Sequence, residues 1–388
     1  MKEKKTESNK LGKKEKSILF LQHCAAHPKD VLRLSKATVL YGLKGGRARA
    51  EGLARMEWEK RRKEVIGKKN ERIKFSFVMP VYNVEIKWLE KAIDSIRKQT
   101  YKNWELCISD DASTQNELTD YLKNLKDSNI KVTFAKENGG ISQASNLAAS
   151  MADGDYLVLI DNDDEIAPNA LESLFKNIIK TKADIVYSDM DMIDENGVHS
   201  CPLYKPDWSP ELMLSQMYMG HIVAFKKTLF EECGGFNKEY DGAQDYDLIL
   251  RMSEKAKVIS HVPEVLYSWR TLPTSTAANA DAKPYAQYAG QKAIQEHLNR
   301  TLGNGKAEVV ETDNLFVYDV RYNLENKPLV SIIIPTKDHA DDLDVALKSV
   351  YEKTTYLNFE IIILDNNSEK EETQTYFEKI QKEYDNLR

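Results

Sequence analysis

The chain has 388 residues, 41% hydrophobic and 30% charged, which suits a globular protein with a substantial core and enough length for two domains or one large domain with appendages. Its formal net charge of −6 makes no overall case for a nucleic-acid partner. Four scattered cysteines (Cys24, Cys107, Cys201, Cys233) without a C-x-x-C pair indicate neither a disulfide framework nor a zinc site, and a reducing compartment fits.

Residues 1–74 are charged and read as helical, with Lys and Arg concentrated in "MKEKKTESNKLGKKEK" and again from Gly42 to Lys74. A solvated arm accounts for this, and peripheral contact with an anionic membrane surface is the sharper alternative. "SILFLQHCAAH" is too short and too polar to cross a bilayer. The charged start also lacks the apolar core and cleavage site of a signal peptide, so the sequence reads as cytoplasmic.

A different grammar begins at Phe75. "FSFVMP" predicts a buried strand ended by Pro80, and "WLEKAIDSIRKQ" a helix with Trp88, Leu89, Ala92, Ile93 and Ile96 on one face. "WELCIS", "IKVTFAK", "YLVLI" and "ADIVYSD" predict further strands. "NELTDYLKNLK", "SQASNLAASMA" and "PNALESLFKNIIK" predict the intervening helices, the last with Pro168 near its start. Strands alternating with helices make an α/β domain on a mostly parallel sheet.

The pattern then restarts. "FSFVMPVYN" (75–83) resembles "VSIIIPTKD" (330–338), and "YKNWELCISDDAS" (101–113) resembles "YLNFEIIILDNNS" (356–368). Pro80 to Pro335 and Asp110 to Asp365 are both offset by 255 positions (335 − 80; 365 − 110), which argues for two copies of one unit. The second copy reaches Arg388 without a counterpart of the acidic run at 161–165, so one working site is expected.

Ligands of open parallel sheets sit beyond the carboxyl ends of the strands. Three polar clusters fall there: "PVYN" (80–83), "DDAS" (110–113) and "DNDD" (161–164). No G-x-G-x-x-G follows the first strand, which weakens a dinucleotide reading, and no P-loop pattern occurs. Asp110 and Asp111 fit two readings equally: bonds to a base or ribose, or an Asx-type turn or helix cap. Asp161 and Asp163 can share a hard divalent cation that relieves their repulsion. An acidic surface turn plus an N-cap from Asp164 or Glu165 is the plain alternative.

The stretch from Phe75 to about Arg300 resembles a family 2 glycosyltransferase of the GT-A fold. "FVMPVYN", "ISDDAS", "ENGGISQASNLA", "GDYLVLIDNDDEIAP", "CGGFNKEYDGAQDYDLILR" and "PEVLYSWR" stand in that family's order and spacing. With "LYKPDWSPELMLSQMYMGHIVAF", the chain looks like the tandem glycosyltransferases of bacterial cell-surface polysaccharide assembly. The resemblance implies an α/β GT-A domain, with a Rossmann-like, mostly parallel sheet flanked by helices, over 75–300. A linker over 301–327 and the start of a second such domain over 328–388 would follow, with 1–74 outside.

The likeness also implies roles. Pro80, Tyr82, Asp110 and Asp111 match the nucleotide-base pocket. Gly139, Gly140 and Asn146 match the loop and helix start beside the nucleotide. Asp161 and Asn162 fall in the D-x-D motif, with Asp161 on its ribose and metal side and Asp163 its direct metal ligand. Asp245 matches the catalytic base, and Trp269 and Arg270 the segment closing over donor and acceptor. His221 lies between the acidic motifs, where contact with donor phosphates or acceptor competes with a packed, structural histidine. Gln244 stands where relatives often carry an acid, and Leu272 where a histidine is frequent.

The function so implied is an inverting transferase using Mn2+ or Mg2+. It moves a sugar from a nucleotide-sugar donor to a growing surface glycan or lipid-linked glycan. Arg270 and the metal would stabilise the departing diphosphate. A non-catalytic scaffold is the alternative from another class. A nucleotidyltransferase is the third reading, and "PVYNVEIKW" lacks the basic, glycine-rich loop that reaction needs.

Overall fold

The computed structural model describes residues 73–272 and 284–388. The expectations for the N-terminal arm, membrane contact included, lie outside the described residues apart from its last two positions. Among the described residues, no helix is long and apolar enough to cross a membrane. The chain divides into two compact units, the first comprising Met1–Ala293 with Asn314–Val317 and the second Ile294–Asp313 with Tyr318–Arg388.

In the first unit, β1 (Phe75–Val81), β2 (Trp104–Asp110), β3 (Ile130–Phe134) and β4 (Tyr156–Leu159) pair in parallel in the order β3-β2-β1-β4. β1 is buried along nearly its whole length, as a central strand covered on both faces must be. Helix α1 (Ile86–Arg97) buries Trp88, Leu89, Ala92, Ile93 and Ile96, the face its spacing predicts. Helices α2 (Asn116–Lys123) and α3 (Ile141–Ser150) make the next two crossovers. α4 (Ala170–Thr181) follows a two-residue strand, β5 (Glu165–Ile166).

Beyond β4 the sheet continues through β8 (Val223–Lys226), β6 (Ile185–Ile193), β9 (Ile259–Arg270) and β5, with β7 (His199–Leu203) paired to β6. β8 runs antiparallel to both β4 and β6, while β6 and β9 are parallel. β5 and β7 are likewise antiparallel to their neighbours, so six of the nine strands share one direction. The mostly parallel α/β sheet is therefore as the pattern predicts. Its antiparallel members, β5, β7 and β8, fall in the stretches between the predicted elements. Short helices α5 (Pro210–Ser215), α6 (Lys227–Glu232) and α7 (Gln244–Ser253) complete this half.

Helix α8 (Pro284–Leu302) runs on to β10 (Ala307–Glu311) and β11 (Tyr318–Tyr322), an antiparallel pair. The stretch 301–327, expected as a plain linker, thus contains two strands. In the second unit, β12 (Val330–Thr336) and β13 (Phe359–Asp365) pair in parallel beside α9 (Ala340–Lys353) and α10 (Glu371–Glu383). Leu343, Leu347, Phe359, Ile361 and Ile380 form a small core there.

The internal repeat extends to individual hydrogen bonds. Ser76 Oγ donates to Glu105 Oε1 at 2.6 Å, and Ser331 Oγ to Glu360 Oε1 at 2.6 Å. The Asn83 N–H reaches Ser113 Oγ at 3.0 Å, and the Asp338 N–H reaches Ser368 Oγ at 2.8 Å. Asn83 and Asp338 both take the left-handed conformation, at φ 48° and 54°. Asn and Asp tolerate this because their short polar side chains bond locally.

Candidate functional site

The loops at the carboxyl ends of β1 and β4 open on a cavity of about 1000 Å³ whose lining includes Pro80, Gly140, Asp161, His221, Asp245 and Trp269. Tyr82, Asp110, Asp111, Gly139, Asn146, Asn162, Asp163 and Arg270 are not part of that lining.

The polar residues after β2 mainly build the wall. The buried Asp111 carboxylate accepts the N–H groups of Gly139 at 2.8 Å and Gly140 at 2.9 Å, tying the β2 loop to the start of α3. Gly140 has φ 91°, and a Cβ there would meet Asp241 Oδ2 at 2.5 Å, so a side chain is excluded. Asp110 Oδ2 accepts from the Ser113 N–H at 3.1 Å, a local turn bond. Its buried Oδ1 has no hydrogen-bond partner among the described residues. Tyr82 is 48% exposed. Asn146, matched by resemblance to the nucleotide side, is placed otherwise. Its amide nitrogen donates to Phe236 O at 2.8 Å and its oxygen accepts the Phe236 N–H at 2.9 Å, so both ends are used on backbone.

The acidic run divides residue by residue. Asp161 faces the cavity, with Oδ2 3.6 Å from His221 Nε2 and its N–H donating to Tyr267 Oη at 3.3 Å. Asn162 anchors the loop to β1 through a 2.8 Å bond to Pro80 O. Asp163 is half-buried, and burial together with the Asp161 charge pushes its carboxyl up to about 6. Asp164 is buried, and its carboxylate accepts from the Tyr267 hydroxyl and, at 2.6 Å, from the Arg270 N–H. Burial, reinforced by Asp161 and Asp163, raises Asp164 well above the usual carboxylate range. Neither Asp164 nor Glu165 caps the following helix, whose N-cap is Asn169. Both brace the loop against β9 instead.

Arg270 requires the main correction. The resemblance sets it over the donor, but the side chain is fully buried. Its Nε donates to Asp163 O at 2.6 Å, one terminal nitrogen to Asp194 O at 3.1 Å, and the other pairs with Glu165. The guanidinium lies 4.6 Å from the Trp88 ring centroid, against α1. Successive residues of a strand alternate faces, so β9 turns Tyr267 and Trp269 one way and Arg270 the other. Arg270 holds the acidic loop in shape from behind. It does not reach the cavity.

Asp245 lies in the first turn of α7, where the helix dipole favours a carboxylate, and it lines the cavity. Burial raises its pKa, His221 lowers it and Asp161 raises it further, so the three groups sense one another. It is not the N-cap, which is Ala243. Gln244 accepts the Gly242 N–H at 2.9 Å, and Asp247 is buried in a pair with Arg251, a supporting role. The His221 ring stacks on Tyr267 at 5.0 Å, and its buried Nδ1 has no partner among the described residues.

Three contributors escape sequence reasoning. Tyr267 bridges Asp161 and Asp164, and its alternation with Trp269 was the available signal. Asp241 lines the cavity and accepts the Ser142 N–H at 3.3 Å, a contact across 99 positions with no local signature. Lys205 also lines the cavity.

A mostly parallel α/β sheet, acids after β4 and a shielded carboxylate in one cavity fit a glycosyltransferase, and the sequence match shows that class. The chain belongs to the family described as Glycosyl transferase family 2, whose sequence pattern matches residues 76–234 and 331–388. It is 40% identical over 336 residues to an uncharacterised protein of Sinorhizobium fredii, covering 84% of this chain and 37% of that protein. It is 33% identical to the O-antigen biosynthesis protein RfbC of Myxococcus xanthus, over 81% of this chain and 25% of the relative. It is also 33% identical to chondroitin synthase of Pasteurella multocida, over 70% and 27% respectively. The chain thus spans from 25% to 37% of the length of these curated relatives. Among solved structures, S. aureus TarS 1-349 in complex with UDP-GlcNAc aligns at 19% identity and a TM-score of 0.46, over 60% of this chain and 75% of that one.

Proposed function

We propose that the first unit is an inverting, metal-dependent glycosyltransferase that moves a sugar from a nucleotide-sugar donor to a surface glycan or lipid-linked glycan. The observation that carries this reading is Asp245. It is a shielded carboxylate of raised pKa, in one cavity with Asp161 and His221. Inversion needs a base that takes the acceptor hydroxyl's proton as the oxygen attacks the anomeric carbon, and desolvation makes a carboxylate more basic. Asp245 is that base. The relatives named for O-antigen and chondroitin synthesis support a polysaccharide acceptor. The unpartnered oxygen of Asp110 supports the role toward the base or ribose of the donor that the resemblance implies.

Asp161 and Asp163 suit a hard cation, because burial, with the Asp161 charge added to it, pushes Asp163 up to about 6, and positive charge shared among oxygen ligands relieves both. Among the described residues, no three His, Cys, Asp or Glu side chains cluster to hold an ion. Asp161 and Asp163 would hold Mn2+ or Mg2+, and the ion would supply charge neutralisation to the diphosphate. Arg270 acts only by keeping the Asp163 backbone in place. The same reading keeps the enzyme cytoplasmic, with a solvated basic arm and peripheral membrane contact as its alternative, and keeps 75–300 and 328–388 as successive domains.

A screen of nucleotide sugars by thermal shift with Mn2+ identifies the donor, since a ligand that binds only the folded state raises its stability. With that donor, Asp163→Ala and Asp245→Ala each abolish transfer. Removing a general base costs about 100- to 10,000-fold in turnover. Asp245→Ala leaves donor binding within about threefold, whereas Asp163→Ala weakens it. Full turnover by Asp245→Ala removes the base assignment.

A further inference from the structure

The segment "LYKPDWSPELMLSQMYMGHIVAF" belongs to the resemblance, yet none of its side chains except His221 has a place in the proposed chemistry. Lys205 is its most constrained member. The side chain lines the cavity, but its ammonium is turned to the protein's own backbone. Nζ donates to Ser188 O, Met219 O and His221 O, each at 2.6 Å. Burial pulls the Lys205 pKa down to about 7 against the opposing pull of Asp189, and in the ammonium form all three protons are used on these carbonyls. Its own N–H donates to Asp189 Oδ1 at 2.9 Å, and that oxygen lies 2.8 Å from His261 Nε2, so the clamp is fastened to β6 and β9.

The three carbonyls come from two places. Ser188 belongs to β6, whereas Met219 and His221 flank Gly220 in the turn before β8. That turn is built on glycine. Gly220 has φ 46°, and a Cβ there would press Met190 Sδ at 3.3 Å. The turn delivers the imidazole that stacks on Tyr267 and stands 3.6 Å from Asp161.

We propose that Lys205 is a positioning residue for the transfer reaction: its ammonium gathers the Ser188, Met219 and His221 carbonyls and so fixes the His221 imidazole beside Asp161, in the cavity that Asp245 also lines. With all three donors committed, Lys205 makes no direct contact with donor phosphates. Its contribution passes through His221. This rests on the glycosyl-transfer reading, so its test has one arm that does not depend on turnover.

In the first arm, the His221 ring is followed by NMR of histidine-labelled full-length protein, with His221→Ala supplying the assignment. Lys205→Met shifts the His221 resonance away from its wild-type position, and an unchanged resonance overturns the proposal. In the second arm, turnover of the donor found by the screen is measured in a double-mutant cycle. Lys205→Met lowers turnover at least tenfold, and adding His221→Ala to it costs less than a further threefold. Losses that multiply overturn the proposal, because they make Lys205 an independent contact. If Lys205→Met does not fold, Lys205→Arg is read in both arms. Its planar fork retains charge but does not fit a cage built for a compact ammonium. If wild type turns over no nucleotide sugar while the His221 resonance still moves, the transferase reading falls and the clamp stands.

Discussion

Tyr267 has one oxygen and two tasks in the acidic loop. It accepts the Asp161 N–H and donates to Asp164, and its ring carries the His221 imidazole. Tyr267→Phe keeps the ring and removes the oxygen, leaving a backbone donor and a buried carboxylate oxygen without their partner. Unmet buried groups cost about 1–3 kcal/mol, so the variant unfolds at lower urea by that amount. Transfer slows as well, since Asp161 loses its fixed position; unchanged urea midpoints and rates refute the bridging role. At this scale the sequence was readable for Asp161 and Asp245 in one respect: both line the cavity. It was misleading for Arg270. A cation beside a segment that closes over the donor looks like a phosphate ligand. Only the strand alternation of β9, together with the short strand β5 against it, shows that the guanidinium points to α1.

The elements show the same division. α1 and the central strands were legible because their apolar periodicity is long and strong. β5, β7 and β8 were not. β5 has two residues, every residue of β7 is exposed, and β8 enters the sheet between β4 and β6 although it follows both in sequence. At the opposite end of the sheet from the cavity, Glu105 locks β1, β2 and the turn before β4 together. It accepts from Lys74 Nζ at 2.7 Å, Ser76 Oγ at 2.6 Å and the Asp153 N–H at 2.6 Å, with Lys131 Nζ 3.0 Å away. Burial alone would raise its pKa, but the bonds from Lys74, Ser76, Asp153 and Lys131 outweigh it and bring the group from the ordinary 4.5 down to about 2. A depressed carboxylate adds stability that is complete above pH 4.5 and is lost as pH falls through about 2. The lysine stems reach solvent, so about 1–2 kcal/mol is expected. Glu105→Gln should lower the urea midpoint at pH 7 and flatten its decline between pH 5 and pH 3, an interval set on the order of these pKa values. A variant whose pH profile parallels wild type shows that Glu105 does not carry this acid sensitivity.

At the scale of the whole molecule, the repeat was the most legible feature, because strand and turn recur at one offset and the hydrogen bonds recur with them. What the repeat does was less legible, because chemistry depends on what surrounds the shared turn. In the first unit, β1 has β2 on one side and β4 on the other, and β4 leads into Asp161. Asp110 is buried there with one oxygen free. In the second unit, among the described residues β12 pairs with β13 alone, and Asp365 is exposed, its Oδ1 accepting from the Ser368 N–H at 3.0 Å. A carboxylate in open water lacks the low dielectric that surrounds the buried Asp110. Asp365→Ala in this chain therefore leaves donor turnover within about twofold, since surface changes of this kind alter stability by about 0.5 kcal/mol or less. Asp110→Ala, the same change 255 positions earlier, weakens donor binding at least tenfold, read as a raised KM with turnover at saturation largely kept (365 − 110). Equal losses from the two substitutions would show that this chain holds two donor sites, and would move the second unit from a repeated framework to a working half of the enzyme.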